Sequence, residues 1–196
     1  NYNTVVGDEA GTAITTGDEN VCIGYQAGDA ITTGTQNVAI GANALSAEDE
    51  NHYNVAIGRE ALQTLNGGSY NVAVGRVAGK NMTTGSNNTI MGANAGDALD
   101  VGGNNVALGY ESLSADTKGS HTTAIGRRAL KAQNFTSATD SHNVAVGNNA
   151  GQAVTTGTEN TIVGSNAGYA FTTGGSNVAI GKGALSTETA GSNNVA

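Results

Sequence analysis

The chain has no proline and no tryptophan, and aromatic residues make up only 4% of its 196 residues. Cysteine occurs once, so no disulfide framework holds the fold together. Large side chains of the kind that fill a globular core are scarce, whereas glycine occurs 30 times. This composition favours a thin, repetitive core over a compact globular one.

Basic residues are also scarce. Eight lysines and arginines stand against sixteen acidic residues, and the formal net charge is −8. Because binding to a phosphate backbone depends on lysine and arginine, nucleic acid is disfavoured as a partner. No apolar run long enough for membrane insertion is present. Both ends cut through a repeat, so we expect a single domain, residues 1–196, excerpted from a longer fibrous protein.

A cassette close to NVAIGxxAGxxxTTGxx recurs along the whole chain. With its first residue as position one, successive copies start 17 residues apart, except for one step of 21. The longer step places a four-residue insertion within residues 131–142. Such regularity predicts a solenoid of about eleven 17-residue coils. The copies start at Asn3, Asn20, Asn37, Asn54, Asn71, Asn88, Asn105, Thr122, Asn143, Asn160, Asn177 and Asn194.

The content of one cassette predicts β-structure. Valine, isoleucine, threonine and glycine dominate, and helix-forming residues do not recur at a 3.6-residue spacing. Glycine at position five, as in Gly41, predicts a corner that needs positive φ or leaves no room for a Cβ. Glycine at position fifteen, replaced only by Asn51 among the regular copies, predicts a left-handed turn. The column of opening asparagines predicts a hydrogen-bonded ladder between coils.

Positions nine and twelve vary together. Copies with glycine at nine carry a large apolar residue at twelve, as in Gly28 with Ile31. Copies with leucine at nine mostly carry a polar residue at twelve, as in Leu45 with Glu48. We infer that both positions compete for one core space.

Strand alternation sends positions two and four to one face, which we expect to line the coil interior. Position three then points outwards, yet it is apolar in every copy, and an apolar outer column predicts contact with another chain. A parallel homotrimer is the expected assembly. The candidate seam between chains consists of Val5, Cys22, Ala39, Ala56, Ala73, Ile90, Ala107, Ala124, Ala145, Ile162 and Ala179.

No motif for catalysis, cofactor binding or metal binding is visible. The three histidines lie several coils apart or in separate turns, and no nucleophile elbow or paired-cysteine motif occurs. We therefore expect no enzyme, no cofactor and no metal site. Most basic residues fall at positions six and seven, where an ion-pair role is expected. Candidate surface contacts surround the insertion, because recognition residues accumulate on irregular loops: Arg127, Arg128, Phe135 and His142.

The strings NVAIG at Asn37, Asn54 and Asn177, and NVAVG at Asn71 and Asn143, resemble the NSVAIG repeats in the heads of YadA-like trimeric adhesins. Similar repeats occur in phage tail fibres and large bacterial surface proteins. The resemblance implies a left-handed parallel β-roll, three chains side by side, and attachment from a cell surface or virion. Two departures stand out: position two is valine or threonine where the family has serine, and the 17-residue step is longer.

The expected function is that of an extracellular structural and adhesive fibre segment, from a phage tail fibre or bacterial surface adhesin. Its expected partners are further copies of itself and a host surface such as a cell-surface glycan. The alternative is a monomeric solenoid that binds ice or glycans, suggested by the TTG turns at Thr15, Thr32, Thr83, Thr155 and Thr172.

Overall fold

A computed structural model describes residues 1–196 as an all-β parallel solenoid without any helix. Eleven strands stack in chain order into one parallel sheet, and two short strands form a second, two-stranded sheet. The strands are β1 Thr4–Val6, β2 Val21–Ile23, β3 Val38–Ile40, β4 Val55–Ile57, β5 Val72–Val74, β6 Thr89–Met91, β7 Val106–Leu108, β8 Gly119–Ser120, β9 Thr123–Ile125, β10 Thr139–Asp140, β11 Val144–Val146, β12 Thr161–Val163 and β13 Val178–Ile180.

The predicted period of the solenoid is confirmed by the strand register. Val38 pairs with Val55, and Val55 pairs with Val72, so equivalent residues stack one coil apart. Backbone hydrogen bonds also join the coils outside the strands: 95 of the 116 lie in turns and connections, such as Leu45 N–H to the Ala61 carbonyl. Each coil is therefore tied to its neighbours around its whole perimeter, and the solenoid behaves as a one-dimensional stack.

The predicted insertion lies in the coil between β9 and β11, where Thr123 pairs with Val144, 21 residues later. Residues 136–138 are exposed, and β10 then pairs with β8 of the preceding coil. The stack resumes its register after this coil, because β11 pairs in line with β12. The extra residues therefore bulge outwards without changing the solenoid.

The inner and outer faces of the strands are the opposite of those predicted. Position three, not positions two and four, faces the coil interior, because Cys22, Ala39, Ala56 and their equivalents are completely buried within one chain. Positions two and four face outwards and are half-buried or exposed. The interior is narrow, and eight of its ten completely buried position-three residues are alanine or cysteine. The other two, Ile90 and Ile162, fit because they pack against glycines at position nine, where a Cβ would lie 2.9–3.2 Å from their Cδ1 atoms.

The expected competition between positions nine and twelve is confirmed. A Cβ added to Gly28 would lie 2.9 Å from Ile31 Cδ1, and one added to Gly168 would lie 2.7 Å from Phe171 Cδ2. The side chain at twelve therefore fills the space that leucine fills in other coils. In two coils with leucine at nine, the acidic residue at twelve is also buried and accepts a backbone hydrogen bond: Glu48 Oε1 from Asn51 N–H at 2.7 Å, and Asp116 Oδ1 from Gly119 N–H at 3.0 Å.

Glycine at position five has both properties that the sequence suggested. Gly75 has φ of +138°, and a Cβ there would lie 2.6 Å from the carbonyl oxygen of Gly92 in the next coil. The left-handed turn predicted at position fifteen is wrong. Gly85 does not have a left-handed φ, but a Cβ on it would lie 2.5 Å from the Gly102 carbonyl oxygen. Close stacking of successive backbones explains this glycine.

The predicted asparagine ladder is confirmed. Asn54 is completely buried, its Oδ1 accepts from the backbone N–H of Asn71 at 3.1 Å, and its Nδ2 donates to the Gly68 carbonyl at 2.9 Å. Each asparagine therefore closes its own coil and holds the next one. Buried amides with both partners satisfied stabilise a single stacking register.

One asparagine of the ladder is replaced by Thr122, and the side chains of Gln133 and Ser141 connect it to the next asparagine, Asn143. Gln133 Nε2 donates to Thr122 Oγ1 at 3.0 Å, and Gln133 Oε1 accepts from Asn143 Nδ2 at 2.8 Å. Ser141 Oγ lies 2.7 Å from Thr122 Oγ1 and accepts from Asn143 N–H at 3.3 Å. The insertion supplies Ser141, so the longer coil and the missing asparagine form one local arrangement.

Replacing Glu48 with leucine should raise the free energy of unfolding by about 1–2 kcal/mol at pH 7, because a buried carboxylate is removed. Glu48 Oε2 is buried without a hydrogen-bond partner, and burial raises the pKa of Glu48. The next coil already accommodates the resulting pair as Leu62 and Leu65, both completely buried. A raised pKa destabilises the fold above that pKa and not below it, so the gain should shrink as pH falls towards 4. Thermal melts at both pH values measure it.

Glu188 provides the control, since it occupies the same position twelve but has its pKa lowered. The N–H groups of Gly191, Ala190 and Thr189 all donate to its carboxylate. Glu188→Leu should lower the melting temperature at pH 7. An equal gain from both substitutions would show that burial of the carboxylate is not the cause.

Candidate self-association face

The outer face of the eleven-stranded sheet is apolar along the whole solenoid. Positions two and four form two parallel columns that contain only valine, isoleucine, leucine, methionine and threonine, without a charge or an amide. Met91 is 43% exposed and Ile23 36% exposed. We call this surface the apolar face; it comprises Thr4, Val6, Val21, Ile23, Val38, Ile40, Val55, Ile57, Val72, Val74, Thr89, Met91, Val106, Leu108, Thr123, Ile125, Val144, Val146, Thr161, Val163, Val178 and Ile180.

Parallel sheets are normally covered on both faces, and such strands read as continuous apolar runs. Here the coil interior covers one face, and nothing within the chain covers the other. At about 4.8 Å per strand, the apolar face extends for roughly 50 Å. An uncharged apolar strip of this length is typical of an interaction surface.

The candidate seam at position three is therefore wrong. From Cys22 to Ala179, its residues are completely buried between the strands and the rest of their own coil, and only Val5 in the first coil is exposed. Positions two and four, and not position three, form the apolar outer column that predicts contact with another chain. Ten of the predicted seam residues belong to the hydrophobic core of a single chain: Cys22, Ala39, Ala56, Ala73, Ile90, Ala107, Ala124, Ala145, Ile162 and Ala179. The eleventh, Val5, lies in the first coil, which no earlier coil covers.

Two columns of side chains border the apolar face. The leading edge precedes each strand at position seventeen, and all its residues are exposed: Tyr2, Glu19, Gln36, Tyr53, Tyr70, Asn87, Asn104, His121, His142, Glu159 and Ser176. The trailing edge follows each strand at position six and comprises Asp8, Tyr25, Ala42, Arg59, Arg76, Ala93, Tyr110, Arg127, Asn148, Ser165 and Lys182.

Rings stack on one another along the leading edge. Tyr53 and Tyr70 lie with centroids 4.9 Å apart and planes 10° from parallel. His121 and His142 stack similarly, with centroids 5.4 Å apart. His121 Nδ1 also lies 3.0 Å from Asp140 Oδ1. Such stacks follow from the one-coil spacing, and they leave these rings exposed at the border of the apolar face.

Two glutamates beside the trailing edge form ion pairs. Glu60 contacts Arg59 and Lys80, each at 2.7 Å. Glu111 contacts Arg128 at 2.9 Å and Lys131 at 2.7 Å. Hydrogen bonding from Lys131, with further contributions from Tyr110 and Arg128, lowers the pKa of Glu111 to about 2. The ion-pair role expected for Arg59 and Arg128 is confirmed, whereas Arg76 and Arg127 make no ion pair.

The four candidate contact residues near the insertion have different positions. Arg127 and His142 are exposed, on the trailing and leading edges respectively. Arg128 is half-buried against Glu111. Phe135 is only 5% exposed, so its prediction as a surface contact is wrong. The aromatic side chain is buried within the longer coil instead of projecting from the bulge.

The threonine-rich turns use one of their two hydroxyl columns inside the solenoid. Thr15 Oγ1 donates to the Thr32 carbonyl at 3.1 Å, and Thr155 Oγ1 donates to the Thr172 carbonyl at 3.0 Å. These hydroxyls at position thirteen therefore bridge successive coils. The exposed hydroxyls at position fourteen do not form a continuous row, because Glu50, Gly67 and Val101 replace threonine there. The interrupted row disfavours the ice-binding alternative, which depends on a flat array of available hydroxyls.

The remaining surface offers little chemistry. One open depression is lined by Asn149, Asn166, Tyr169 and Ser186, without a carboxylate, histidine or cysteine. No group of three or more histidine, cysteine, aspartate or glutamate side chains is arranged to hold a metal ion. The chain has no apolar helix long enough to cross a membrane. No protein-family model, curated protein or solved structure matches the chain.

Proposed function

We propose that the chain is a structural and adhesive segment of an extracellular fibre, such as a phage tail fibre or a bacterial surface adhesin. In this proposal three copies run parallel as left-handed rolls and cover one another's apolar faces. The observation that carries the proposal is the uncharged apolar face along the entire sheet. The repeat strings that resemble trimeric adhesin heads support the same assembly.

A fibre segment of this kind works through its shape and its copy number. The coil-to-coil backbone ladder and the asparagine ladder hold a straight stack, and association presents every exposed turn in several copies. Weak contacts with a repeated surface polymer, such as a cell-surface glycan, then add up through avidity. No catalytic step is part of the proposal.

Light scattering at low micromolar concentration tests the assembly. We expect a mass three times the 19.4 kDa of one chain. Ile57→Glu, on strand β4 of the apolar face, should give the single-chain mass, because three charges, one from each chain, would otherwise be buried among apolar columns as the copies assemble. Thr84→Glu adds the same charge to an exposed turn outside the face, and it should keep the larger mass.

A wild-type protein that stays monomeric at this concentration would contradict the proposal. The adhesive part is tested separately on an array of surface glycans. The assembled protein should dissociate more slowly than the Ile57→Glu variant, and equal dissociation rates would remove avidity from the proposal.

A further inference from the structure

The two edges of the apolar face carry matching residues at the same level of the stack. Each strand has one leading-edge residue just before it and one trailing-edge residue just after it. Arginine occupies the trailing edge at three strands, β4, β5 and β9, and at all three the leading edge carries an aromatic ring. The pairs are Tyr53 with Arg59, Tyr70 with Arg76, and His121 with Arg127.

These matched residues cannot meet within one chain. Five residues, three of them the strand itself, lie between the two members of each pair, a span of up to roughly 20 Å. Within the chain, Arg59 contacts Glu60 at 2.7 Å, and Arg76 Nη2 donates to Asn94 Oδ1 at 3.0 Å. Arg127 is exposed, and its guanidinium makes no hydrogen bond or ion pair within the chain. The matched positions of arginine and aromatic ring therefore produce no contact between them inside a single solenoid.

Rotation about an axis parallel to the solenoid brings the two edges together. In any such ring of copies, the leading edge of one chain lies beside the trailing edge of the next. Without a shift along the axis, every strand level meets the same level. An antiparallel pair places trailing edge beside trailing edge instead, and so directs arginines towards arginines.

We infer that the copies associate parallel and without axial shift, and that Arg59, Arg76 and Arg127 of one chain stack on Tyr53, Tyr70 and His121 of the next. Arginine stacks on aromatic faces through cation–π attraction and planar contact. These contacts fix a register that the two apolar columns leave open, since valine and isoleucine repeat at every level. The inference rests on the proposed self-association and adds its orientation and contacts.

The other levels are compatible with this register. The acidic residues Asp8 and Glu19 share their levels with Tyr2 and Tyr25 rather than with another acid. A shift by one strand in one direction places Asp8 beside Glu19 and moves Arg76 from tyrosine to asparagine. A shift in the other direction removes Arg59 and Arg127 from their rings. The unshifted arrangement is the one that keeps all three contacts.

Disulfide trapping tests the inference with the double variant Tyr70→Cys, Arg76→Cys. The two new thiols lie at opposite ends of β5, so they form a disulfide only between chains. Under mild oxidation we expect most of the protein to run as a covalent ring of copies on a non-reducing gel. The native Cys22 is completely buried, and burial raises the pKa of its thiol to about 11, so it stays unreactive.

The control pair is Tyr70→Cys with Arg127→Cys, whose levels are three strands apart, roughly 14 Å. It should stay uncrosslinked. If light scattering shows an oligomer but the control pair crosslinks instead, or neither pair does, the register is overturned while the proposed function stands. A monomeric mass overturns both.

Discussion

Replacing Ala56 with glutamate should unfold the coils around β4, with a loss of about 4 kcal/mol or more in the free energy of unfolding. Ala56 is completely buried and stacks in register between Ala39 and Ala73. A glutamate there has neither space nor an ion-pair partner, and the adjoining coils have no other surface to stack on. Circular dichroism melts and limited proteolysis near residues 50–60 measure the loss.

The neighbouring residue provides the matched control. Ile57 belongs to the same strand but points to the apolar face and is half-buried. Ile57→Glu should keep the circular dichroism spectrum of the folded chain at a concentration where the chains are already dissociated. If Ile57→Glu unfolds the isolated chain as severely as Ala56→Glu, the assignment of inner and outer faces is wrong.

This pair also shows why the sequence predicts the period of the fold but not the phase of its strands. Positions two, three and four are all apolar, so alternation alone leaves the inner face undecided. The opening asparagine shares its parity with position three. A ladder of unsolvated amides belongs inside the coil, so Asn54 and Ala56 point inwards together. Residue size gives the same answer, because position three is mostly alanine, and isoleucine enters the interior only at Ile90 and Ile162, beside glycines at position nine.

Other features were predictable because they lie within one coil. A large side chain stands either at position nine or at position twelve of a coil, because both fill the same space, and pairs such as Gly28 with Ile31 show this in the sequence. The role of Gly85 cannot be predicted in this way, because the atom that excludes its Cβ is a carbonyl oxygen of the next coil. The inward turn of Phe135 likewise depends on how the longer coil closes over its neighbours. The repeat pattern therefore predicts constraints within one coil, but it does not predict the contacts that one coil makes with the next.

Replacing Asn88 with alanine should lower the free energy of unfolding by about 2–5 kcal/mol, because two buried backbone groups lose their partners. Asn88 Oδ1 accepts from Asn105 N–H, and Asn88 Nδ2 donates to the Gly102 carbonyl, both at 3.0 Å. Neither group has another backbone partner in the fold. Urea unfolding followed by circular dichroism measures the loss.

Asn81→Ala deletes a comparable amide at the surface, where Asn81 Nδ2 donates to the Asp97 carbonyl at 2.8 Å. Water replaces that bond, so the expected change is within about 0.5 kcal/mol. The ladder has one natural break, at Thr122, where Ser141 Oγ accepts from Asn143 N–H in place of an asparagine Oδ1. Gln133→Ala should also be destabilising, because the buried side chains of Asp116, Thr122 and Asn143 each lose a hydrogen-bond partner. If Asn88→Ala changes stability no more than Asn81→Ala, the ladder is not what holds successive coils in register.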